Sequence, residues 1–143
     1  MKVRQISVFL ENRSGRLAET LRTLADAGIN IRALSIADTN DFGILRLILD
    51  DPDRAVAALR AAGRTVATTD VLAVEIPDEP GGLASFLARV AESRHNIEYL
   101  YAFVTRQADR AVVIFRFEDV DAALEGLLAH GVRVLSAADL ATL

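Results

Sequence analysis

The sequence predicts an α+β fold of two tandem βαββαβ units, each with an antiparallel sheet that carries both helices on one face. The main observation is an internal repeat within 143 residues. Residues 12–18, a Gly-containing loop that leads into a helix pattern, return as 78–84, and Asn30-Ile31 returns as Asn96-Ile97. The offset is 66 at each of these positions (78−12, 96−30). A fixed repeat of this kind indicates one folding unit present twice.

The first strand of each unit shows the period-two pattern of a strand with one buried face. The inward positions are Ile6, Val8 and Leu10 in the first unit and Leu72, Val74 and Ile76 in the second. Because these positions keep the offset of 66, the buried face is preserved between the units.

A helix pattern follows the loop of each unit. Its expected inward positions are Leu17, Leu21, Leu24 and Ala25, matched by Leu83, Leu87, Val90 and Ala91. Gly28 is placed to end the first helix as its C-terminal cap.

The remaining elements recur in the same order. Strands are expected at about 30–38, 44–49 and 65–67, and again at 96–105, 111–117 and 132–135. A second helix opens at Pro52 and ends at Gly63, and its counterpart ends at Gly131. The offset is now 68 (131−63), which places a two-residue insertion in the second hairpin loop. Residues 136–143 are expected to add one or two helical turns.

This order of elements indicates two ferredoxin-like units, since such crossovers are right-handed. Domain 1 is expected at residues 1–68 and domain 2 at 69–143. Because the connector at 68–70 is short, the units are expected to pack side by side.

The composition excludes several classes of protein. A formal charge of −4 and a pI near 5.1 argue against a nucleic-acid-binding protein. The absence of cysteine excludes disulfides, thiolate zinc sites and cysteine nucleophiles. No apolar run approaches the length of about 20 residues that spans a bilayer, and the N-terminus shows no signal region, so a cytoplasmic protein without membrane partners is expected. No cofactor or metal is expected, because His95 and His130 have no metal-ligand spacing.

The loop before the first helix is the most site-like feature of the first unit. Gly15 permits a sharp turn and close approach of a ligand, and the helix start offers unpaired N–H groups to an anion. Asn12 and Asn30 are interpreted as amides that flank this helix start. Because an amide accepts from an ammonium group and donates to a carboxylate, the pair suits a small zwitterion such as an amino acid.

The second unit repeats this loop with a different charge. Gly81 and Asn96 are kept, whereas Asp78 replaces the first amide. A carboxylate favours the ammonium end of such a ligand and weakens binding of its carboxylate end. The two half-sites are therefore expected to differ.

On these residues the chain resembles two tandem ACT domains, small ligand-sensing modules of amino-acid metabolism. The resemblance covers nearly the whole chain and implies that an amino acid lies where two ACT domains meet, held by the Gly loop and the start of the second strand. The implied ligand-binding residues are Asn12, Ser14, Gly15, Asn30 and Ile31 in the first unit, and Asp78, Gly81, Asn96 and Ile97 in the second.

The leading interpretation is a stand-alone regulatory protein that binds a free amino acid, acts by allosteric change at domain interfaces and has no catalytic residues. A related alternative is a dissociable regulatory subunit of an amino-acid biosynthetic enzyme. A weaker alternative from another class is an acylphosphatase-like hydrolase, for which Arg13 with Asn30 is the best available pair. The characteristic loop of such hydrolases is absent.

Two further features concern packing. Tyr99, Tyr101 and Phe103 alternate along one face of a strand and are interpreted as packing residues, with an aromatic ligand wall as the alternative. The sheet face opposite the helices is unusually apolar, so a homodimer through this open face is expected. Its apolar residues are Phe9, Ile44, Ile48, Val112 and Ile114.

Overall fold

A computed structural model describes residues 1–103 and 109–143, with every side chain among them except that of Asp38. Seven strands and five helices are formed by these residues. They are β1 (Val3–Glu11), α1 (Arg16–Asp26), β2 (Ile31–Asp38), β3 (Phe42–Leu49), α2 (Pro52–Ala61), β4 (Thr65–Pro77), α3 (Gly82–Glu92), β5 (Ile97–Ala102), β6 (Arg110–Phe117), α4 (Val120–Ala129), β7 (Val134–Leu135) and α5 (Ala137–Ala141). The end of the predicted strand at 96–105 lies outside the described residues.

The chain divides into two compact units, Arg4–Thr69 and Asp70–Leu143, and the latter includes Met1–Val3. We call them the N-terminal and C-terminal units. In the N-terminal unit the strands follow the order β4-β1-β3-β2, with β3 antiparallel to both β1 and β2. The C-terminal unit repeats the pattern as β7-β4-β6-β5. Each unit is therefore an α+β unit with the predicted ferredoxin-like strand order.

The predicted inward strand positions are buried under the helices in both units. Ile6, Val8 and Leu10 lie in one core with Leu24 of α1 and Leu59 of α2. The equivalent residues of the C-terminal unit lie in a second core, which stacked aromatic rings of Phe115 and Phe117 help to fill. The β4 residues in this second core are Leu72, Val74 and Ile76.

The prediction for the helix faces was partly wrong. Thr20 is fully buried, whereas Leu17 is 38% exposed. The Thr20 hydroxyl donates to the Arg16 carbonyl at 2.9 Å, so its polar group is satisfied while its methyl group faces the core. Phe86 occupies the corresponding position in α3 and is buried.

The expected connector at 68–70 is not a loop. These residues lie inside β4, a single strand of 13 residues from Thr65 to Pro77. The run is rich in Thr, Val and Ile, whose branched side chains favour extended backbone.

The open sheet face is also less open than predicted. Ile48, Val112 and Ile114 are buried within the single chain, which leaves Phe9, at 46% exposure, and the half-buried Ile44. Most of the residues expected to form a dimer contact on this face are therefore already buried. Tyr101 and Phe103 are buried as well, in agreement with a packing role for this aromatic row.

Candidate functional site

Both loop glycines adopt the left-handed backbone conformation. Gly15 has φ 86° and ψ −14°, and Gly81 has φ 85° and ψ −6°. A residue with a Cβ atom is strained at such a φ. Each glycine is the N-cap residue of its helix, α1 or α3, so the loop turns directly into the helix start.

The helices that follow these loops have no side-chain cap among the described residues, unlike the other helices. Asp51 caps α2 by accepting from the Arg54 N–H at 3.2 Å, and Asp119 caps α4 by accepting from the Ala122 N–H at 3.0 Å. Ser136 and Asp139 form a reciprocal capping box at α5. The N–H groups of Arg16 and Gly82 donate to the carbonyls of Arg13 and Glu79, at 3.3 Å and 3.0 Å. The next two N–H groups of α1 and of α3 remain available to an anion at the positive end of the helix dipole.

Asn12 ties its loop to the neighbouring hairpin. Its backbone N–H donates to the Asp41 carbonyl at 2.9 Å, and its Nδ2 lies 3.4 Å from the carbonyl oxygens of Thr39 and Asn40. In the C-terminal unit the backbone N–H of Asp78 donates in the same way to the Asp109 carbonyl at 3.0 Å. Both residues are exposed and hold the base of the loop.

The second pair of predicted residues, Asn30 and Asn96, opens β2 and β5. The Asn30 backbone N–H donates to Asp50 Oδ1 at 3.1 Å, and its side-chain amide forms no hydrogen bond with the residues described. Asn96 instead donates from its side-chain Nδ2 to Glu118 Oε2 at 3.2 Å. Ile31 and Ile97 follow these residues and pack partly against the cores of their units.

The interpretation that Asn12 and Asn30 flank one helix start was wrong within a unit. Because β3 is antiparallel to both β1 and β2, the latter two strands run in the same direction. The loop that follows β1 therefore lies at the opposite end of the sheet from Asn30. On β3, Gly43 pairs with Leu10 near the loop, and Leu49 pairs with Ile31 next to Asn30. The six residues from Gly43 to Leu49 span about 20 Å at the usual rise per residue, which is the separation of the loop from Asn30.

This separation also argues against the hydrolase alternative, which paired Arg13 with Asn30. Arg13 lies in the loop, and its Nη1 donates to Glu11 Oε2 at 3.1 Å. The two side chains cannot act on one small substrate within a unit. Ser14 lies exposed in the same loop as Arg13.

The charges around the two loops differ in sign. Arg13 and Arg16 flank Gly15, whereas Asp78 and Glu79 precede Gly81. Arg16 pairs with Glu19 at 3.0 Å, and Arg64 pairs with the same oxygen at 3.0 Å. These hydrogen bonds, from Arg16 first and Arg64 second, lower the pKa of Glu19. The N-terminal loop is thus the better environment for an anion.

Sequence reasoning missed Arg32, which immediately follows the predicted ligand residues. The β2–β3 register shifts between Ile31 and Ala33, so Arg32 is the extra residue of a bulge. Its Nε is buried and has no hydrogen-bond partner in the described part of the chain. The matching bulge of β5 holds Glu98, which pairs with Arg116 at 3.2 Å. Arg32 and Glu98 occupy equivalent positions at the offset of 66 and carry opposite charges. This difference between the repeats was the signal in the sequence that could have pointed to Arg32.

Metal-ligating clusters and membrane-length helices are both absent from the described residues. Residues 1–103 and 109–143 contain no group of three or more His, Asp or Glu side chains placed to hold a metal ion. Within the same ranges, no helix has the length and apolar character needed to cross a bilayer. His95 instead packs edge-on against Phe117, with ring centroids 6.5 Å apart.

Comparison with known proteins supports this architecture. Protein BT0572 from Bacteroides thetaiotaomicron has a similar crystal structure over 100% of this chain and 98% of its own, with a TM-score of 0.93 and 42% identity. The regulatory subunit of aspartate kinase from Thermus thermophilus, in its ligand-free form, shares the fold at a TM-score of 0.66 and 22% identity, covering 88% of this chain and 91% of its own. The regulatory subunit of aspartate kinase from Thermus flavus aligns with a TM-score of 0.61 and 22% identity, over 88% of this chain and 90% of that one.

No curated protein matched the sequence. The family model described as ACT domain pair, however, matches residues 1–143. It covers both repeats, both glycine loops and both Asn-Ile strand starts. The chain belongs to the family of ACT domain pairs.

Proposed function

We propose that this protein is a non-catalytic regulatory protein that binds a free amino acid through its N-terminal unit. The observation that carries the proposal is the uncapped start of α1 behind the left-handed Gly15, in a chain that caps α2, α4 and α5 with its own side chains. Membership of the ACT domain pairs and the fold shared with regulatory subunits of aspartate kinase support a regulatory role.

The chemistry of the two groups of residues fits the two ends of an amino acid. The N–H groups of Leu17 and Ala18, in the first turn of α1, donate to a carboxylate, and Asn12 and Ser14 lie in the loop that precedes them. The free amide of Asn30 accepts from an ammonium group through its Oδ1. Arg32, with an unpartnered buried Nε beside Asn30, offers a cation to an acidic ligand side chain.

Two chains are needed to bring these groups together, since they are about 20 Å apart in one unit. We place the contact at β2, an edge strand of its sheet, on which Leu34 and Ile36 are 40% and 52% exposed. Antiparallel pairing of two β2 edges brings the loop end of one chain to the Asn30 end of its partner. A homodimer built this way has two equivalent sites.

The C-terminal unit is proposed to bind the same ligand weakly or not at all. Asp78 and Glu79 place negative charge at its loop, where the carboxylate of an amino acid would approach. The Asn96 amide is already engaged by Glu118. Gly81 and Ile97 are the equivalents of Gly15 and Ile31, so the backbone positions of the site are kept in the C-terminal unit. The charges around them do not complement the carboxylate of an amino acid.

A thermal-shift screen of the twenty amino acids tests the proposed function. A ligand at about 100-fold above its Kd stabilises the folded state by about 2.7 kcal/mol, which raises the melting temperature by several degrees. If no amino acid raises it, ligand sensing is rejected.

Light scattering on size-exclusion fractions tests the proposed dimer contact. Ile36→Asp places a charge on the β2 edge and is expected to yield monomers, whereas Phe9→Asp, on the sheet face, is the matched control and leaves the dimer intact. The reverse result would assign the contact to the open sheet face, and a monomeric parent protein would exclude both arrangements.

A second candidate function is that the same dimer is a dissociable subunit of an enzyme of amino-acid metabolism. Regulation then requires that the ligand bind two conformations with different affinity. Affinity purification from its native cell extract, with and without the amino acid found in the screen, distinguishes a regulatory subunit, which retains a larger catalytic protein, from a stand-alone sensor.

A further inference from the structure

The C-terminal unit contains a cluster of arginines around one almost buried carboxylate, beside Pro77 at the end of β4. The side chain of Glu75 is only 12% exposed, on the face of β4 opposite the helices. Arg110 Nε lies 3.7 Å from its Oε1, and Arg133 Nε lies 3.6 Å from its Oε2. Glu75 therefore holds two guanidinium groups, one on each side.

Strand pairing explains this arrangement. Pro77 of β4 pairs with Arg110 of β6, so Arg110 lies diagonally opposite Glu75 on the neighbouring strand. On the other side of β4, the Glu75 N–H donates to the Arg133 carbonyl at 3.1 Å. The backbone ladders therefore fix where both arginines leave the chain, one on each side of Glu75.

The arginine donors are not saturated by Glu75. Both separations exceed normal N–H···O hydrogen-bond lengths, and no side-chain hydrogen bond links Arg89, Arg110 or Arg133 to any residue in the described ranges. These three arginines and Gly131 line a cleft of about 300 Å³. An adjoining cleft of about 350 Å³ shares Glu75, Arg110 and Arg133.

The charge of the first cleft is positive. Its three arginines outnumber its single carboxylate, which leaves an excess of two positive charges. Asp139 borders the adjoining cleft, where its carboxylate accepts from the N–H and the hydroxyl of Ser136, each at 2.7 Å. These hydrogen bonds keep the Asp139 pKa low, so this carboxylate is committed to the start of α5.

The N-terminal unit shows that the fold does not require these charges. Its strand register matches that of the C-terminal unit, with Phe9 opposite Ile44 where Glu75 is opposite Val112. Phe42 stands at the position of Arg110, and both phenylalanines are exposed. The sequence offset places threonines, Thr23 and Thr65, at the positions of Arg89 and Arg133.

We propose that the cleft between Arg89, Arg110 and Arg133 binds a small dianionic oxyanion, the phosphate group of a metabolite or a pair of carboxylates. The planar guanidinium groups of Arg110 and Arg133 donate forked hydrogen bonds to its oxygens, and Glu75 positions them. The site is separate from the proposed amino-acid site and belongs to the C-terminal unit alone.

Amide NMR titration tests the site in the full-length protein. Inorganic phosphate and succinate are the two dianions, acetate is the monoanion, and sodium chloride holds the ionic strength constant. Saturable shifts of the Gly131 and Arg133 amides with a dianion are expected, and the dianion that binds more tightly identifies the ligand class. Shifts of the same size with chloride alone would overturn the proposal.

Variants separate a built site from general attraction of anions. Arg133→Gln, at a side chain that is 69% exposed, is expected to weaken dianion binding about tenfold. Arg133→Lys keeps the positive charge but loses the forked donor geometry of the guanidinium group. Its affinity for the dianion is expected to lie between that of the parent protein and that of Arg133→Gln. Arg60→Gln, in α2, removes the same charge elsewhere and is expected to leave binding unchanged. Equal losses of dianion affinity in Arg60→Gln and Arg133→Gln, or no loss in either variant, would contradict the proposal. If Arg133→Gln does not fold, Arg110→Gln repeats the test.

Discussion

The Asn96 side-chain amide donates to Glu118 at 3.2 Å, whereas Asp50, the equivalent of Glu118, accepts from the backbone N–H of Asn30 at 3.1 Å. The longer glutamate side chain reaches the amide that the aspartate does not reach. One methylene group therefore leaves the same amide free in one unit and engaged in the other.

This difference predicts unequal effects of two alanine substitutions. Asn30→Ala is expected to weaken binding of the amino acid found by thermal shift about tenfold, because a hydrogen bond to a charged ligand group is lost. Asn96→Ala is the matched control and is expected to leave the ligand-induced shift unchanged. Equal losses in both variants would show that the two half-sites bind alike.

Arg32→Gln is predicted to separate ligand binding from stability. Because the Arg32 Nε is buried without a partner, its removal is expected to leave the melting temperature of the free protein unchanged or slightly higher. Binding of an acidic amino acid is expected to fall about tenfold, while a neutral one is affected less. A lower melting temperature without ligand, together with unchanged affinity, would assign Arg32 a purely structural role.

Gly82→Ala is predicted to destabilise the C-terminal unit. A Cβ atom on Gly82 would lie 2.2 Å from the backbone oxygen of Pro77, a contact that a side-chain rotation cannot relieve. We expect a loss of about 1–3 kcal/mol in the free energy of unfolding, measured by urea denaturation. Gly43→Ala, whose Cβ would meet Ile36 at an ordinary 3.7 Å, is the control and is expected to change stability little.

Gly126 and His95 are predicted to be energetically coupled. A Cβ atom on Gly126 would lie 2.9 Å from His95 Nε2, so Gly126→Ala must displace the imidazole from Phe117. In the His95→Ala background the same substitution is expected to stabilise α4 by about 1 kcal/mol, the helix-propensity gain of Ala over Gly. In the parent protein most of this gain is expected to be lost. Additive free energies in a double-mutant cycle would refute the coupling.

Glu19 is predicted to make stability depend on pH in the acid range. Arg16 and Arg64 lower its pKa in the folded state, so its contribution is complete above the ordinary value of 4.5 and is lost as the pH falls through the folded-state pKa. Glu19→Gln is expected to flatten the decline in the free energy of unfolding between about pH 5 and pH 3. Glu125→Gln, at an exposed helical position, should retain the slope of the parent protein.

Sequence patterns predicted the fold better than the site. The alternation at Ile6 and Leu72 determined which strand face is buried, because only one register places those residues in a core. The Asn12–Asn30 pairing failed because an 18-residue separation does not show that the intervening helix returns the chain to the opposite end of the sheet. Glu75, Arg110 and Arg133 are distant in sequence, and charged residues taken singly indicate only solvent exposure.

On the proposed function, the uncapped start of α1 would couple ligand binding to folding stability. If the carboxylate of the ligand provides the cap that α1 lacks, the free protein has a lower free energy of unfolding than a capped one. Ligand binding then supplies the missing stabilisation. A substitution that supplied a permanent cap there would yield a sturdier protein that responds less to its metabolite. The missing cap of α1 would then be maintained by selection for responsiveness, and its persistence in α3 would be a remnant of the duplication.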